Sequence, residues 1–291
     1  MKIAVFGQAF KTESLQYIVN LIEILAKKSC EVIIFDKVYP LIKEHVSISY
    51  QTYDSIQSLG SDIDYMISVG GDGTMLQAAG IVRDSKIPII GINTGRLGFL
   101  ATVPKEEINN AIDQLLEGSF RINKRSLLEV TSKNKDQLSK KLYALNEISV
   151  SRKNTTTMIT IDTFLDDEFL NTYWADGLII STPTGSTGYS LSCNGPIVTP
   201  TVAALVITPI APHNLSIRPL VISDTPLLRL KVSSREEYFL LSMDARIESV
   251  HTNTELYIKK ADFQVHMIEL TNQSFLKTLR EKLLWGKDTR N

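Results

Sequence analysis

The chain has 291 residues, 43% hydrophobic and 22% charged, with 31 Lys and Arg against 32 Asp and Glu. That length allows one large domain or two ordinary ones, and the composition excludes wholesale disorder. A formal charge of −1 removes the electrostatic case for a general nucleic-acid or membrane-surface binder, although a local patch is still allowed.

Ile3–Phe6 is a short apolar run ending at Gly7, the pattern of a buried strand. Leu15, Ile18, Val19, Ile22, Leu25 and Ala26 then share one helical face. Glu31–Phe35, Tyr65–Val69 and Ile87–Ile92 predict three more strands, and Thr74–Val82 a helix. Continuous apolar strands separated by helices imply a parallel sheet covered on both faces. Pro104–Leu116 predicts an amphipathic helix. From Arg121 alternation takes over, at Leu127–Val130, Leu142–Val150, Met158–Leu165 and Glu168–Tyr173, with Asp166-Asp167 as a hairpin turn. Strands at Ala203–Ile207, Leu227–Val232, Tyr238–Met243, Glu255–Ile258 and Phe263–Ile268 complete an all-β second domain. A last helix, Phe275–Leu284, sets Phe275, Leu276, Leu279 and Leu283 on one face. The change of pattern places the domain boundary near residues 100–120.

Cys30 and Cys193 lie far apart without a CxxC, so with four scattered histidines they form neither a zinc site nor a disulfide framework. The start, MKIAVFG, lacks the features of a leader, and no apolar run reaches the ~18 residues of a membrane span. The expectation is a soluble, cytoplasmic protein with no metal site of its own.

Three segments carry chemistry. Gly70-Gly71-Asp72-Gly73-Thr74 follows a buried strand and opens a helix. Its glycines let the backbone turn tightly and approach a ligand, and the helix start favours a phosphate. A carboxylate there would repel phosphate. Asp72 therefore suits either acceptance of a proton from an attacking hydroxyl or the holding of a metal-bound phosphate. The plain alternative is a tight Asp-Gly turn. Walker, GxGxxG and protein-kinase signatures are absent from the sequence. In the segment Asp176–Ser192, seven of the twelve residues from Ser181 to Ser192 are Ser or Thr. Such hydroxyls and glycine amides can bind phosphate and ribose oxygens, and the Tyr189 ring can stack on a base. The third segment is Asn146-Glu147. Inside a regular strand their side chains would face opposite ways, whereas a strand end or bulge can aim both at one ligand.

Together these residues resemble the NAD kinase family, whose hallmarks are a GGDGT loop, an Asn-Glu pair and a DG…TPTGST segment, in that order. Asn93–Leu100 (NTGRLGFL) is similar to a family stretch, as are Pro209–Leu220 (PIAPHNLSIRPL) and Leu279–Arg290 (LREKLLWGKDTR). GGDG alone is shared with diacylglycerol and sphingosine kinases and, loosely, 6-phosphofructokinases. The TPTGST segment narrows the match. The resemblance implies transfer of the γ-phosphate of ATP to the 2′-hydroxyl of the adenosine ribose of NAD, giving NADP. It implies an α/β N-terminal domain with a parallel sheet (residues 1–100 plus 269–291) and an all-β, sandwich-like C-terminal domain (101–268), with the last helix returning to the first. It also implies Mg²⁺ or another divalent cation with ATP, no prosthetic group, no nucleic-acid or membrane partner, and a homodimer or homotetramer. By position Asp72 would accept the proton, with Gly70, Gly71, Gly73 and Thr74 as the phosphate loop. Asp72, Gly73, Asn146, Glu147, Thr157, Trp174, Asp176, Thr187, Gly188, Tyr189, Ser190, Leu191, Ser192, Ala211 and Arg246 would contact NAD. Gly188 stands where many members carry Ala. Trp174, Arg246 and Thr157 also depart from residues common in relatives.

Overall fold

The computed structural model describes residues 1–8, 12–46, 49–60, 62–133, 138, 141–154 and 157–286, so residues 287–290 of the tail segment lie outside it. The chain divides into two compact units, Met1–Lys124 with Val265–Asn291, and Arg125–Gln264. The boundaries expected at 100 and 268 therefore fall at 124 and 264. The helix after residue 100 buries Ile108, Ala111, Ile112 and Leu115 in the core of the first unit, which carries that unit past residue 100.

The first unit runs β1 (Lys2–Gly7), α1 (Thr12–Lys27), β2 (Glu31–Phe35), α2 (Tyr39–Ile42), β3 (Gln51–Tyr53), α3 (Ile56–Leu59), β4 (Tyr65–Gly70), α4 (Asp72–Val82), β5 (Ile89–Asn93), β6 (Val103–Pro104) and α5 (Ile108–Glu117). Its strands lie in the order β3-β2-β1-β4-β5, all parallel. The chain steps outward from β1 to β2 and β3, then returns to the other side of β1. That reversal makes β1 and β4 a topological switch point, where ligands bind beyond the carboxyl ends of the strands. Gly70 closes β4 at that end. The core holds Ile3, Val5, Ile34, Ile67 and Ile92 from the strands, and Ile18, Leu21, Ile22 and Leu25 from α1.

The second unit contains most of β7 (Phe120–Ser132), then β8 (Leu142–Ala144), β9 (Glu147–Arg152), β10 (Ile159–Leu165), β11 (Glu168–Ala175), β12 (Gly177–Ser181), the short α6 (Tyr189–Ser192), β13 (Ala204–Ile210), β14 (Leu220–Ser223), β15 (Leu228–Ser233), β16 (Tyr238–Met243), β17 (Arg246–His251) and most of β18 (Glu255–Leu270). One antiparallel sheet has the order β14-β13-β12-β9-β16-β17. The other packs β11, β10, β15 and β18 side by side, with β7 and β8 beyond β18. Alternate residues of both sheets meet in one core, among them Ile148, Val150, Ile180 and Leu241 from the first and Val130, Ile161, Leu230 and Leu256 from the second. This is the sandwich arrangement.

Some expected elements differ. The single strand Leu142–Val150 is two strands in different sheets: β8 pairs with β7, and β9 with β12 and β16. The segments 255–258 and 263–268 are one strand, β18. Asp166 and Asp167 do form the turn, at φ 48° and 69°, as a tight hairpin requires. The strands β3, β14 and β17, which patterning did not suggest, are sheet edges, mostly exposed, so they lack the buried alternation of central strands. The final helix α7 (Phe275–Leu283) belongs to the first unit and buries Thr278 and Leu279, but Leu276 points outward. Cys30 and Cys193 are free thiols. Among the described residues no helix is long and apolar enough to cross a membrane.

Candidate active site

In the first unit the glycine loop leads from β4 straight into α4. Gly70 has φ 154°, and a Cβ there would lie 2.2 Å from Thr74 Oγ1, so only glycine fits. Gly71 and Gly73 have open space where a Cβ would sit, which leaves the backbone accessible. Gly71 caps α4 without a side-chain bond, the setting in which a helix start can receive an anion. Thr74 is buried.

Asp72, in the first turn, is held by a loop 27 residues further on. Its Oδ2 accepts the Phe99 amide at 2.8 Å, and its Oδ1 accepts those of Leu100 and Ala101 at 3.0 Å each. Gly98 makes this possible, because a Cβ there would sit 1.9 Å from Asp72 Oδ1. Asn93 shapes the same loop. Its Nδ2 donates to the carbonyls of Arg96 and Ala101, and its Oδ1 accepts the Gly95 amide. The NTGRLGFL stretch is thus a cradle for the Asp72 carboxylate. Its glycines were the signal, but its target lay too far along the chain for local pattern to name.

In the second unit the Asn146-Glu147 pair sits where the chain leaves one sheet and enters the other. The strand end that lets both side chains serve one ligand is therefore present. At this corner the backbone amides of Leu145, Asn146 and Glu147 all donate to the Asp244 carboxylate, at 2.8, 2.8 and 3.2 Å. Thr182 grips the same corner, donating from Oγ1 to the Leu145 carbonyl at 2.7 Å and from its amide to the Asn146 carbonyl at 2.9 Å. Gly185 packs so closely that a Cβ would lie 2.1 Å from the Asn146 carbonyl oxygen. Asn146 Oδ1, Glu147 Oε2 and Ser181 Oγ are all buried and have no hydrogen-bond partner. Ser181 lies directly across the ladder from Glu147, on the same face. Burial, and then the neighbouring Asp244 charge, push the Glu147 carboxyl up to about 7, against the Tyr189 amide that favours its charged form. Burial likewise raises Asp244, opposed by its three amide bonds and by Arg246. Glu147, Ser149, Tyr189, Ser242, Asp244, Ala245 and Ile247 line a recess of ≈ 290 Å³.

The hydroxyl-rich segment behaves differently from its composition. Thr182, Ser186, Thr187 and Ser190 spend their hydroxyls inside the unit, on Leu145, Pro183, Thr184 and Thr208. They build the turn, so a ligand meets its backbone rather than those side chains. Gly188, Leu191 and Ser192 are at least partly exposed, and the Tyr189 ring is 45% exposed. Trp174, 49% exposed, stacks on His213 with ring centres 4.6 Å apart. Asp176 pairs with Arg152 at 2.9 Å. Ala211, exposed, has φ 43° and precedes this corner. Thr157 keeps a buried, unpaired hydroxyl, and Arg246 donates to the Tyr143 carbonyl. Glu147 and Arg152 are the two ends of β9, about 16 Å apart at the rise of a strand. After burial, the charges of Asp176 and Glu147 both act on Tyr189 and push its hydroxyl up.

Comparison with known proteins agrees with this arrangement. Residues 3–120 match the ATP-NAD kinase N-terminal domain, and residues 145–270 the ATP-NAD kinase C-terminal domain. The chain is 54% identical to an NAD kinase of Flavobacterium psychrophilum and 40% identical to one of Bacteroides fragilis, covering all of both chains in each case. Among solved structures it is similar to yeast NADH kinase complexed with NADH (TM-score 0.89, 26% identity, 100% of this chain and 89% of that one). It is also similar to an NAD kinase from Archaeoglobus fulgidus in complex with ATP (TM-score 0.76, 25% identity, 98% and 99%). With both domains matched in order and a full-length relative 54% identical, the chain belongs to the ATP-NAD kinase family.

Proposed function

We infer that the chain transfers the γ-phosphoryl group of ATP to the 2′-hydroxyl of the adenosine ribose of NAD, giving NADP and ADP. The observation that carries the acceptor side is the set of buried, unsatisfied polar atoms on Asn146, Glu147 and Ser181. Leaving such atoms unpaired costs about 1–3 kcal/mol each, a cost a bound polyol would relieve. NAD contacts run from there past Gly188–Ser192 to Trp174, Asp176 and Ala211, with Thr157 and Arg246 in the same set.

On the donor side, the open amides of Gly71 and Gly73 at the α4 start receive phosphate. The divalent cation, Mg²⁺ first, belongs to the ATP substrate and offsets the charge of its phosphates. A ribose hydroxyl is a poor nucleophile at neutral pH. Asp72 Oδ2 accepts a single amide and keeps a lone pair for the hydroxyl proton. The new bond joins the ribose oxygen to γ-phosphorus. The bond from γ-phosphorus to the bridging oxygen breaks, ADP leaves, and the proton passes to Asp72. Work in the cytoplasm and assembly as a homodimer or homotetramer belong to this proposal on the family resemblance.

The test is an acceptor panel. Purified protein, labelled ATP and Mg²⁺ are incubated with NAD, a diacylglycerol or fructose 6-phosphate. Label in NADP alone is expected. Transfer to the lipid or sugar with none to NAD would overturn the proposal.

A further inference from the structure

We infer that Asp244 is a positioning residue of the dinucleotide site: its carboxylate holds the Leu145–Glu147 corner and so aims the Asn146 and Glu147 side chains at their ligand. This rests on the proposal that those two side chains hold NAD.

The geometry is specific. Asp244 occupies the turn between β16 and β17, where Met243 pairs with Arg246. Its carboxylate collects the three consecutive amides of the corner that ends at the first residue of β9. Its own amide donates back to the Glu147 carbonyl at 3.1 Å, so the contact is reciprocal. Its backbone stands at φ 51°, a conformation that glycine adopts without strain and other residues seldom do. Hairpin turns of this kind take Gly, Asn or Asp, and here the aspartate also turns its carboxylate inward, where it is buried. Three amide bonds from one carboxylate to a corner bearing unsatisfied polar atoms point to a role in the site as well as in the turn.

The clamp has an electrostatic consequence. The charged and titratable groups that act on Glu147 or on its neighbours are Asp244, Tyr189, behind Asp244 Arg246, and around Tyr189 Asp176 and Cys193. Asp244 adds negative charge beside Glu147 and makes its ionisation harder. A ribose diol donates to the ionised form, so NAD affinity in the wild type rises with pH through the region near 7. Removing the Asp244 charge moves that midpoint downward.

Asp244→Asn replaces one oxygen by an NH₂ group facing amide donors. Asp244→Gly removes the clamp at a φ that glycine adopts freely, which keeps a folded variant in hand if the first fails. For either variant the expected result is a KM for NAD raised tenfold or more and a KM for ATP within twofold of wild type. The pH midpoint of NAD binding should fall by at least half a unit. An unchanged KM for NAD, an equal rise for both substrates, or an unmoved midpoint would overturn the inference. Asn146→Ala and Glu147→Gln separate the two claims. If neither weakens NAD binding, the dinucleotide placement fails and this inference with it. If both weaken it and the Asp244 variants do not, the inference alone fails.

Discussion

Gly98→Ala tests how the glycine loop of the first unit holds its carboxylate. The added methyl would stand 1.9 Å from Asp72 Oδ1 and 2.5 Å from Cγ. Ordinary contact begins near 3.4 Å, so the carboxylate must retreat by about 1.5 Å. The amide bonds at 2.8, 3.0 and 3.0 Å cannot all survive that shift. Hydrogen bonds to a charged group contribute about 1.5–3 kcal/mol each. Asp72 is partly exposed, so water recovers some of this, and a net loss of roughly 2–4 kcal/mol is expected. Displacing a reacting group by 1 Å costs about 10²-fold in rate. Turnover should fall at least that far while the dissociation constant for NAD stays unchanged. Thermal melting, initial rates and calorimetric titration on one preparation measure all three. Gly80→Ala is the control, because a Cβ there meets nothing within 4 Å. It lies inside α4 and should add about 0.5–1 kcal/mol. Wild-type melting and turnover in Gly98→Ala would refute the reasoning about Asp72.

Glu147 ionises near 7 in the fold against 4.5 as a free side chain, so the unfolded chain releases its proton first. Its contribution therefore falls as pH rises from about 4.5 to 7. Glu147→Gln should leave stability unchanged at pH 4, raise it by about 2–4 kcal/mol at pH 8 and weaken NAD binding; denaturant melts at the two pH values decide, and equal stability at pH 8 would refute it. Tyr189→Ala removes a half-exposed ring and should cost NAD affinity about 1–3 kcal/mol by analogy with base stacking, with little change in melting; an unchanged dissociation constant takes the ring out of the site. Truncation after Leu270 removes buried Leu279 and both bonds of Gln273 to Thr102, so the melting temperature should drop by several degrees; an equal melting temperature would contradict the packing of α7.

Much of the site was visible in the sequence because its signals are local. A buried strand, GGDGT and a helix follow one another within twenty residues, and strand–helix alternation predicts the parallel sheet. The switch of sheets at Leu145–Asn146 was not visible. Apolar residues continue on both sides of it, at Leu142, Ala144, Ile148 and Val150, so the alternation hides the corner. The hydroxyls of Thr182, Ser186 and Ser190 misled by composition, since a count of donors does not say which way they point. Asp244 carried no local signal, because its partners lie about a hundred residues earlier. The cradle around Asp72 is hidden for the same reason.

The central claim is a chemical one, and the position of the transferred phosphate tests it most directly. Purified protein, NAD, Mg²⁺ and ATP labelled at the γ-phosphorus are mixed, and the product is examined by phosphorus NMR and by its reduction to NADPH with an NADP-specific dehydrogenase and that enzyme's substrate. Label on the 2′-oxygen of the adenosine ribose, at one equivalent per ADP formed, is the expected result. Label released as inorganic phosphate, or found on any other oxygen, would contradict it.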